Sequence, residues 1–352
     1  VEIIERERKS FEKKSLGLKQ ATLKGYLLSL VENTNAQRIF SSGDVDWDIT
    51  KNGIFNPSAV FTKKNRGKII FRCEPEASTW GGHFLEDKAV PMLGDFECRG
   101  NQFQMLGNPY PLAGGQIMSM RAEDWRLFKG LDGKVYTNFT NYFFYNKGFP
   151  QTETRSTTCI ARINGDRLEF LQELSAKDFG KENREEKNWV IFPHRGKYVC
   201  IYSVDPYVAF SLDKDFVIRD IISMSETPLP RICQNFMANG TNPILQTNKE
   251  YGRHYLMTCH NFTHSISDNK RNRTYWHYVL VLDYYSLKPV AFTPHPILGG
   301  DGWEGRHNCI MYVSGMLAHE KNFWFFYGEG DEHSEVCSYP KSTIYQNLVK
   351  LC

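Results

Sequence analysis

Three things are scarce in this chain of 352 residues: paired cysteines, net charge and long apolar runs. Nine cysteines are present (Cys73, Cys98, Cys159, Cys200, Cys233, Cys259, Cys309, Cys337 and Cys352), yet no two form a Cys-x-x-Cys pair or stand at zinc-site spacing. Their number is odd and several sit inside apolar runs, which reads as buried, reduced thiols rather than a disulfide framework. No metal and no other cofactor is expected. The formal net charge of +3 is too small to argue for a nucleic-acid partner, and the two basic runs, 6–14 and 270–273, read as solvated surface. No apolar stretch approaches the roughly 20 residues of a membrane span, so no membrane partner is expected either. The chain begins at Val1 rather than methionine. A leader or anchor ahead of it therefore stays open, with a cytoplasmic compartment preferred over a secretory lumen. Sequons at Asn138, Asn239, Asn261 and Asn272 are about as many as chance supplies and do not decide the question.

What is abundant is aromatic side chains: 14% of the residues, with 24 Phe, 18 Tyr and 7 Trp, a content that suits β-structure. The first 36 residues read differently, as a helix. Charge dominates residues 2–14, then Leu16, Leu18, Leu23, Leu27, Leu28 and Leu30 supply an apolar stripe, and Asn33-Thr34-Asn35 stops it. Such a helix packs on the outside of the main fold or serves as a contact in a homo-oligomer. From residue 38 onward, short apolar or alternating runs recur every ten to twenty residues, at 59–62, 68–72, 134–144, 157–163, 189–193, 197–203, 207–212, 255–259, 275–282, 308–313 and 322–327. Gly, Pro, Asn and Asp separate them. That rhythm belongs to an all-β sandwich, barrel or propeller. Gly67-Lys68, Gly133-Lys134 and Gly196-Lys197 each precede apolar residues about 65 positions apart, the size of a four-stranded blade with a long loop. They read as the turns entering the inner strands. The expected fold is a five-bladed β-propeller over 37–352, with the N-terminal helical extension before it. Residues 76–116, rich in Gly and Pro, read as a long loop over one face.

The stretch around Glu123 and Asp124 stands out for its chemistry, since two adjacent acids lie between Arg121 and Arg126. Cleaving or forming an acetal needs a carboxyl that holds a proton near neutral pH; a second acid raises such a pKa and arginines lower it. Further polar groups recur where strands begin or end: Asn56-Pro57-Ser58, Arg72, Lys187-Asn188, the segment from Asn239 to Pro243, His260, and Tyr327 to Asp331. In a propeller these ends converge on the central channel, where such folds place their sites.

In this order the motifs resemble glycoside hydrolase family 130, the β-mannoside phosphorylases, and the related β-1,2-mannosyltransferases. Asn56-Pro57-Ser58 is similar to the family's Asn-Pro-Ala, and Phe71-Arg72 to its Tyr-Arg strand end. Glu123-Asp124-Trp125-Arg126 resembles Glu-Asp-Pro-Arg. Lys187-Asn188 ahead of Ile191-Phe192-Pro193 resembles a Lys-Asn before Leu-Phe-Pro, and Gly240-Thr241-Asn242-Pro243 resembles Gly-Thr-x-Pro. His260 matches the second residue of a Tyr-His pair, with Cys259 in the tyrosine's place. Phe326-Tyr327-Gly328-Glu329-Gly330-Asp331 is similar to the closing Tyr-Tyr-Gly-x-x-Asp. The departures are Trp125 where the family has proline, residues 76–116, which do not align, and the N-terminal helix.

The resemblance implies a five-bladed propeller enzyme that moves a mannosyl unit with inversion, as a β-mannosyltransferase or β-mannoside phosphorylase. Asp124 takes the role of proton donor, a general acid/base step worth on the order of 10² to 10⁴ in rate. Asn56, Arg72, Glu123, Arg126, Asn188, Tyr327 and Asp331 fall on substrate-binding positions, where carboxylates and forked guanidinium groups suit vicinal hydroxyls. Arg155, Lys187 and His260 form the expected cationic set for phosphate. Implied partners are mannose or a mannose-containing oligosaccharide as acceptor, mannose 1-phosphate or GDP-mannose as donor, and inorganic phosphate. Trp125, Trp189 and Trp303 either stack on sugar rings or pack in the core. Two other readings stand beside this one: a β-mannosidase of the same fold using two acids and water, and a non-catalytic propeller that binds glycans. Acceptor choice is expected to rest on loops 76–116 and 265–275.

Overall fold

The computed structural model describes residues 36–40, 53–74, 89–114, 121–146, 152–177, 187–225, 237–267, 270–300 and 310–351. The helix expected over 1–36, but for its last residue, and Trp303 lie outside the described residues.

Strands make up most of the described chain, paired antiparallel in five sheets. The first strand, β1 (Gln37–Phe40), is set apart from those that follow it. The next four pair in chain order: β2 (Gly53–Phe61), β3 (Arg66–Glu74), β4 (Val90–Arg99) and β5 (Gln102–Met105), with β6 (Tyr110–Pro111) also on β4. A second meander holds β7 (Arg121–Lys129), β8 (Val135–Asn146), β9 (Thr152–Asn164) and β10 (Arg167–Leu174). The third holds β11 (Val190–His194), β12 (Lys197–Val204), β13 (Tyr207–Leu212) and β14 (Ile218–Ser225). In the fourth sheet, β15 (Ala238–Asn239) and β16 (Ile244–Asn248) both pair with β17 (Gly252–Ser267). Next in that sheet come β18 (Lys270–Asp283), β19 (Pro289–Phe292) and the short β20 (Leu298–Gly299) on β18. The last sheet is β21 (Met311–His319), β22 (Asn322–Glu329) and β23 (His333–Pro340), and β1 completes its outer edge. A short helix, α1 (Lys341–Gln346), and β24 (Val349–Lys350), paired with β19, end the described chain.

These sheets form a propeller-like ring because each is apolar on both faces. β13 is buried at all six of its positions. A strand covered on both sides reads as a continuous apolar run rather than an alternating one. Five apolar clusters fill the spaces between consecutive sheets. Ile70 and Leu93 meet Trp125 and Phe139 between the first and second, and Phe128 and Ile160 meet Trp189 and Ile191 between the second and third. Val199 and Tyr207 meet Met257 and Tyr278, Leu256 and Val279 meet Met311 and Phe325, and Trp324 and Phe326 meet Phe71 and Phe96, which closes the ring. Each buried Leu, Val or Phe adds on the order of 1.5–3 kcal/mol.

Short polar side chains staple the inner strands across these clusters. Ser58 Oγ accepts the Leu127 N–H at 3.0 Å. Asn242 accepts from Ile191 N–H at 3.1 Å and donates to the Leu127 carbonyl at 3.1 Å. Asn138 donates to the Trp189 carbonyl at 2.8 Å, Asn239 to that of Ile201 at 3.0 Å, and Ser314 to that of Pro57 at 2.9 Å. β1 joins the chain's start to its last sheet, where Arg38 bonds Glu335 at 2.6 Å and Glu329 at 3.2 Å.

The structure corrects three expectations. Residues 76–116 are not one long loop, since β4, β5 and β6 lie within them. β4 escaped notice because it is covered on both faces and carries Pro91 and Gly94, so it shows neither alternation nor a clean apolar run. The Gly-Lys turns lead from the inner strands into the second strands β3, β8 and β12, not into the inner ones. Gly133 and Gly196 take φ of 79° and 80° there, which a hairpin turn requires. Residues 265–275 are mostly paired strand: the β17–β18 register continues to Ser267 opposite Lys270. The six described cysteines, Cys73, Cys98, Cys159, Cys200, Cys259 and Cys337, are buried, as expected.

Candidate active site

Four expected site residues share one backbone peculiarity. Asn56, Asp124, Asn188 and Asp331 have φ of 51°, 55°, 62° and 53°, the left-handed region that costs an L-residue free energy and that Asn and Asp tolerate best. The other described non-glycine residues with positive φ, Arg195, Phe216, Leu287 and Glu320, sit in the turns between strands. Bulges produce two of the four site conformations. The β2–β3 register skips between Phe55 and Ser58, and the β7–β8 register between Glu123 and Arg126. At the second bulge neighbouring side chains part company: Trp125 is fully buried against Phe139, ring centroids 4.3 Å apart, while the Asp124 side chain keeps 16% of its exposure. Strain held at such points marks a position that the surrounding fold over-determines.

Arg126 explains how the bulge is held. It is 1% exposed and reaches four groups from different parts of the ring. Nε donates to the Gly240 carbonyl at 2.6 Å, Nη1 to the Asp124 carbonyl at 3.0 Å, and Nη2 to Asn188 Oδ1 at 3.0 Å and Tyr312 Oη at 2.8 Å. Tyr312 in turn donates to Asn188 Oδ1 at 3.0 Å. Glycine at 240 is required, since a Cβ there would lie 2.3 Å from Thr258 Oγ1. Gly328 has the same role beside Asn56, whose Oδ1 would be 2.4 Å from an added Cβ.

Around Asp124 the charges are mixed. Arg72 bonds Glu123 at 2.9 Å and stands 4.0 Å from the Asp124 carboxylate, with its guanidinium 5.1 Å from the Phe55 ring centroid. Burial pushes the Tyr275 phenol up; Arg273 opposes this, and the carboxylates of Asp331 and Asp124 reinforce it. Tyr312 is pushed up by burial, opposed by Arg126 and reinforced by Asp124. Both phenols are therefore neutral at neutral pH, Tyr275 within the field of Asp331 and Asp124 and Tyr312 within that of Asp124. His260 is held well below its usual value by burial, then by His277, Arg126 and Lys187. Its ring lies 5.0 Å from that of Tyr312 and 5.7 Å from that of Tyr275.

The fold thus brings Arg72, Glu123, Asp124, Arg126, Asn188, Lys187, His260 and Asp331 into one connected neighbourhood. Several differ from the sequence expectation in what they do there. Arg126 is buried with its bonds taken by protein groups, and Asn188 Oδ1 accepts from both Arg126 and Tyr312, so each is placed to support the site from behind. Burial, then His277, Arg126 and Lys187, disfavour the charged form of His260, which weighs against its expected place among three cations. Asn56 is 5% exposed, packed beside Gly328. Tyr327 lies in the cluster between the fourth and last sheets, and its electrostatic neighbours are Cys337, Glu335, Glu329 and Tyr339. Arg155 stands on β9 opposite Phe143, with its side chain outside the described residues. Trp125 and Trp189 are core residues. Tyr275 and Tyr312 escaped sequence reasoning because each sits in an apolar run. Alternation was the available signal, since Met311 and Val313 flank Tyr312 on the opposite, core-facing side.

No protein-family model and no curated sequence matches the chain. Its fold is that of solved mannoside phosphorylases of glycoside hydrolase family 130, the family its motif order resembles. A β-1,2-mannobiose phosphorylase from Listeria innocua, in complex with β-1,2-mannobiose, superposes with a TM-score of 0.58 at 14% identity over 89% of this chain and 99% of its own. A GDP-mannose-dependent mannosyltransferase from Leishmania mexicana gives 0.57 at 14% identity over 83% and 87%. A mannose phosphorylase from the same organism, in complex with phosphate, gives 0.51 at 14% over 96% and 98%. At these identities the likeness is one of fold.

Proposed function

We propose that this chain is a five-bladed propeller enzyme that transfers a mannosyl unit with inversion, as a β-mannosyltransferase or β-mannoside phosphorylase, with Asp124 as general acid/base. The observation that carries the reading is the Asp124 bulge. A carboxylate is held at φ 55° by a buried arginine, keeps 16% of its side-chain exposure, and stands beside Arg72 and two neutral phenols. A single acid so placed can protonate a departing glycosidic oxygen or take the proton of an incoming hydroxyl, and a single displacement needs no second carboxylate as nucleophile. Glu123 is tied to Arg72 at 2.9 Å and serves to orient that guanidinium toward substrate hydroxyls. Asp331, whose charge acts on Tyr275 together with that of Asp124, completes the donor subsite. Lys187, with Arg155, supplies the positive charge for phosphate or a sugar phosphate, and His260 contributes a hydrogen bond rather than a charge.

The acceptor side is set by two long hairpins. β8 continues six residues past Thr140, the partner of Glu123, and β17 continues seven past His260, about 20 Å or more in each case. Support for mannose as the sugar comes from the fold's relatives, which act on mannobiose or use GDP-mannose. The test is incubation with mannose 1-phosphate, GDP-mannose and β-linked mannobiose in turn, with and without phosphate. Mannosyl transfer or phosphorolysis is the expected result. Absence of turnover with all three, or free mannose released by water alone, would reject the reading.

A further inference from the structure

We infer that Tyr312, which no motif singled out, is a positioning residue for the acid at 124; the inference rests on the proposed role of Asp124. The hydroxyl of Tyr312 closes a triangle with Arg126 and Asn188. Nη2 of Arg126 lies 2.8 Å from Tyr312 Oη and 3.0 Å from Asn188 Oδ1, and Tyr312 donates to the same Oδ1 at 3.0 Å. A guanidinium is planar, so fixing Nη2 on two partners fixes the direction of Nη1, and Nη1 holds the Asp124 carbonyl at 3.0 Å. The chain of contacts therefore runs from the inner strand of the last sheet, through one arginine, to the strained backbone that aims the acid.

The surroundings of the phenol suit that task better than any direct role. Its ring is 7% exposed and faces His260, His277 and Tyr275 edge-on at 5.0, 5.8 and 5.7 Å. Asn188 Oδ1 occupies the hydroxyl's proton and Arg126 donates to its oxygen, so no proton is left to exchange with a sugar. Arg126 forms no ion pair with any described residue, and the orientation of its fork depends on the neutral acceptors around it. Asn188, at φ 62°, is held in place by the same triangle. Without the hydroxyl, Nη2 keeps one partner, the fork loses one of its four anchors, and the bulge at 124 is held less firmly.

Tyr312→Phe removes only the hydroxyl and keeps the ring contacts. The expected result is an unchanged fold by circular dichroism, with kcat for mannosyl transfer reduced about tenfold to a hundredfold and KM within about twofold. The decisive comparison is with Asp124→Asn. If Tyr312 acts through the acid, adding Tyr312→Phe to Asp124→Asn lowers the residual rate by less than about twofold, because the group being aimed is already gone. An equal loss in both backgrounds, or a loss confined to KM, overturns the inference. Asn188→Gly breaks another corner of the triangle while tolerating the positive φ, and the same non-additivity is expected of it. A wild-type rate in Asp124→Asn alone would instead remove the underlying reading, which makes the two failures distinguishable.

Discussion

Replacing Arg126 by methionine tests whether the residue supports the site or binds substrate. Methionine keeps the apolar stem and removes every donor. The carbonyls of Gly240 and Asp124 then lose the partners they have at 2.6 and 3.0 Å, at a position that is 1% exposed. A buried acceptor left without a donor costs about 1–3 kcal/mol, or about 2–6 kcal/mol for the two. Asn188 and Tyr312 keep each other at 3.0 Å and add little. Burying a guanidinium that forms no ion pair with any described residue is itself unfavourable, and losing it offsets part of the cost. The net expectation is a loss of about 2–4 kcal/mol, within the range for a broken buried network. Urea unfolding followed by tryptophan fluorescence reads this as a lower midpoint with an unchanged slope. The same variant should lose kcat, since the bulge that carries Asp124 is no longer held. A wild-type unfolding midpoint with only a raised KM would refute the reasoning and return Arg126 to the role of a substrate ligand.

Gly328→Ala places a Cβ 2.4 Å from Asn56 Oδ1 and 2.8 Å from Asn56 N. The backbone of β2 has to shift, and stability should fall by about 1–3 kcal/mol, read as a lowered thermal midpoint. Acid sensitivity follows from the buried histidines. Burial lowers His194 and His277 from 6.5 to about 4, and His260 is also held well below 6.5. A folded-state pKa below the unfolded one means that the unfolded chain takes up the proton first. Stability is then full above about pH 6.5 and is lost as pH falls toward 4, so the urea midpoint should drop between pH 7.5 and 5. A midpoint that stays flat across that window would contradict the burial of these rings.

The fold was legible where a strand carries an uninterrupted apolar run. The run at 207–212 coincides with β13, and those at 197–203 and 322–327 fall within β12 and β22. It was illegible where the run is broken, as at Pro91 and Gly94 in β4, because a strand covered on both faces offers no period to detect. For the site, the family resemblance singled out Asp124, Glu123, Arg72 and Asp331, and the fold brings these four into one neighbourhood. The resemblance could not divide groups that touch substrate from groups that hold them. Arg126 and Asn188 look like ligands in sequence and are turned inward by the bulge and by the left-handed backbone at 188. Asn239 and Asn242, in a polar segment that reads as the mouth of a blade, staple neighbouring strands instead. The sequons follow the same pattern. Asn138, Asn239 and Asn261 are buried at 1%, 1% and 0% exposure, which sugar attachment does not allow in the folded state.

Asparagine is the replacement that separates chemistry from structure at position 124, because it accepts φ 55° as readily as aspartate does and is nearly the same size, while its amide neither takes up nor releases a proton. The most direct measurement is the initial rate of mannosyl transfer by Asp124→Asn against wild type, on the same donor and acceptor and at matched unfolding midpoints. The account predicts a fall of at least about a hundredfold with the fold intact. A rate within about twofold of wild type would contradict it.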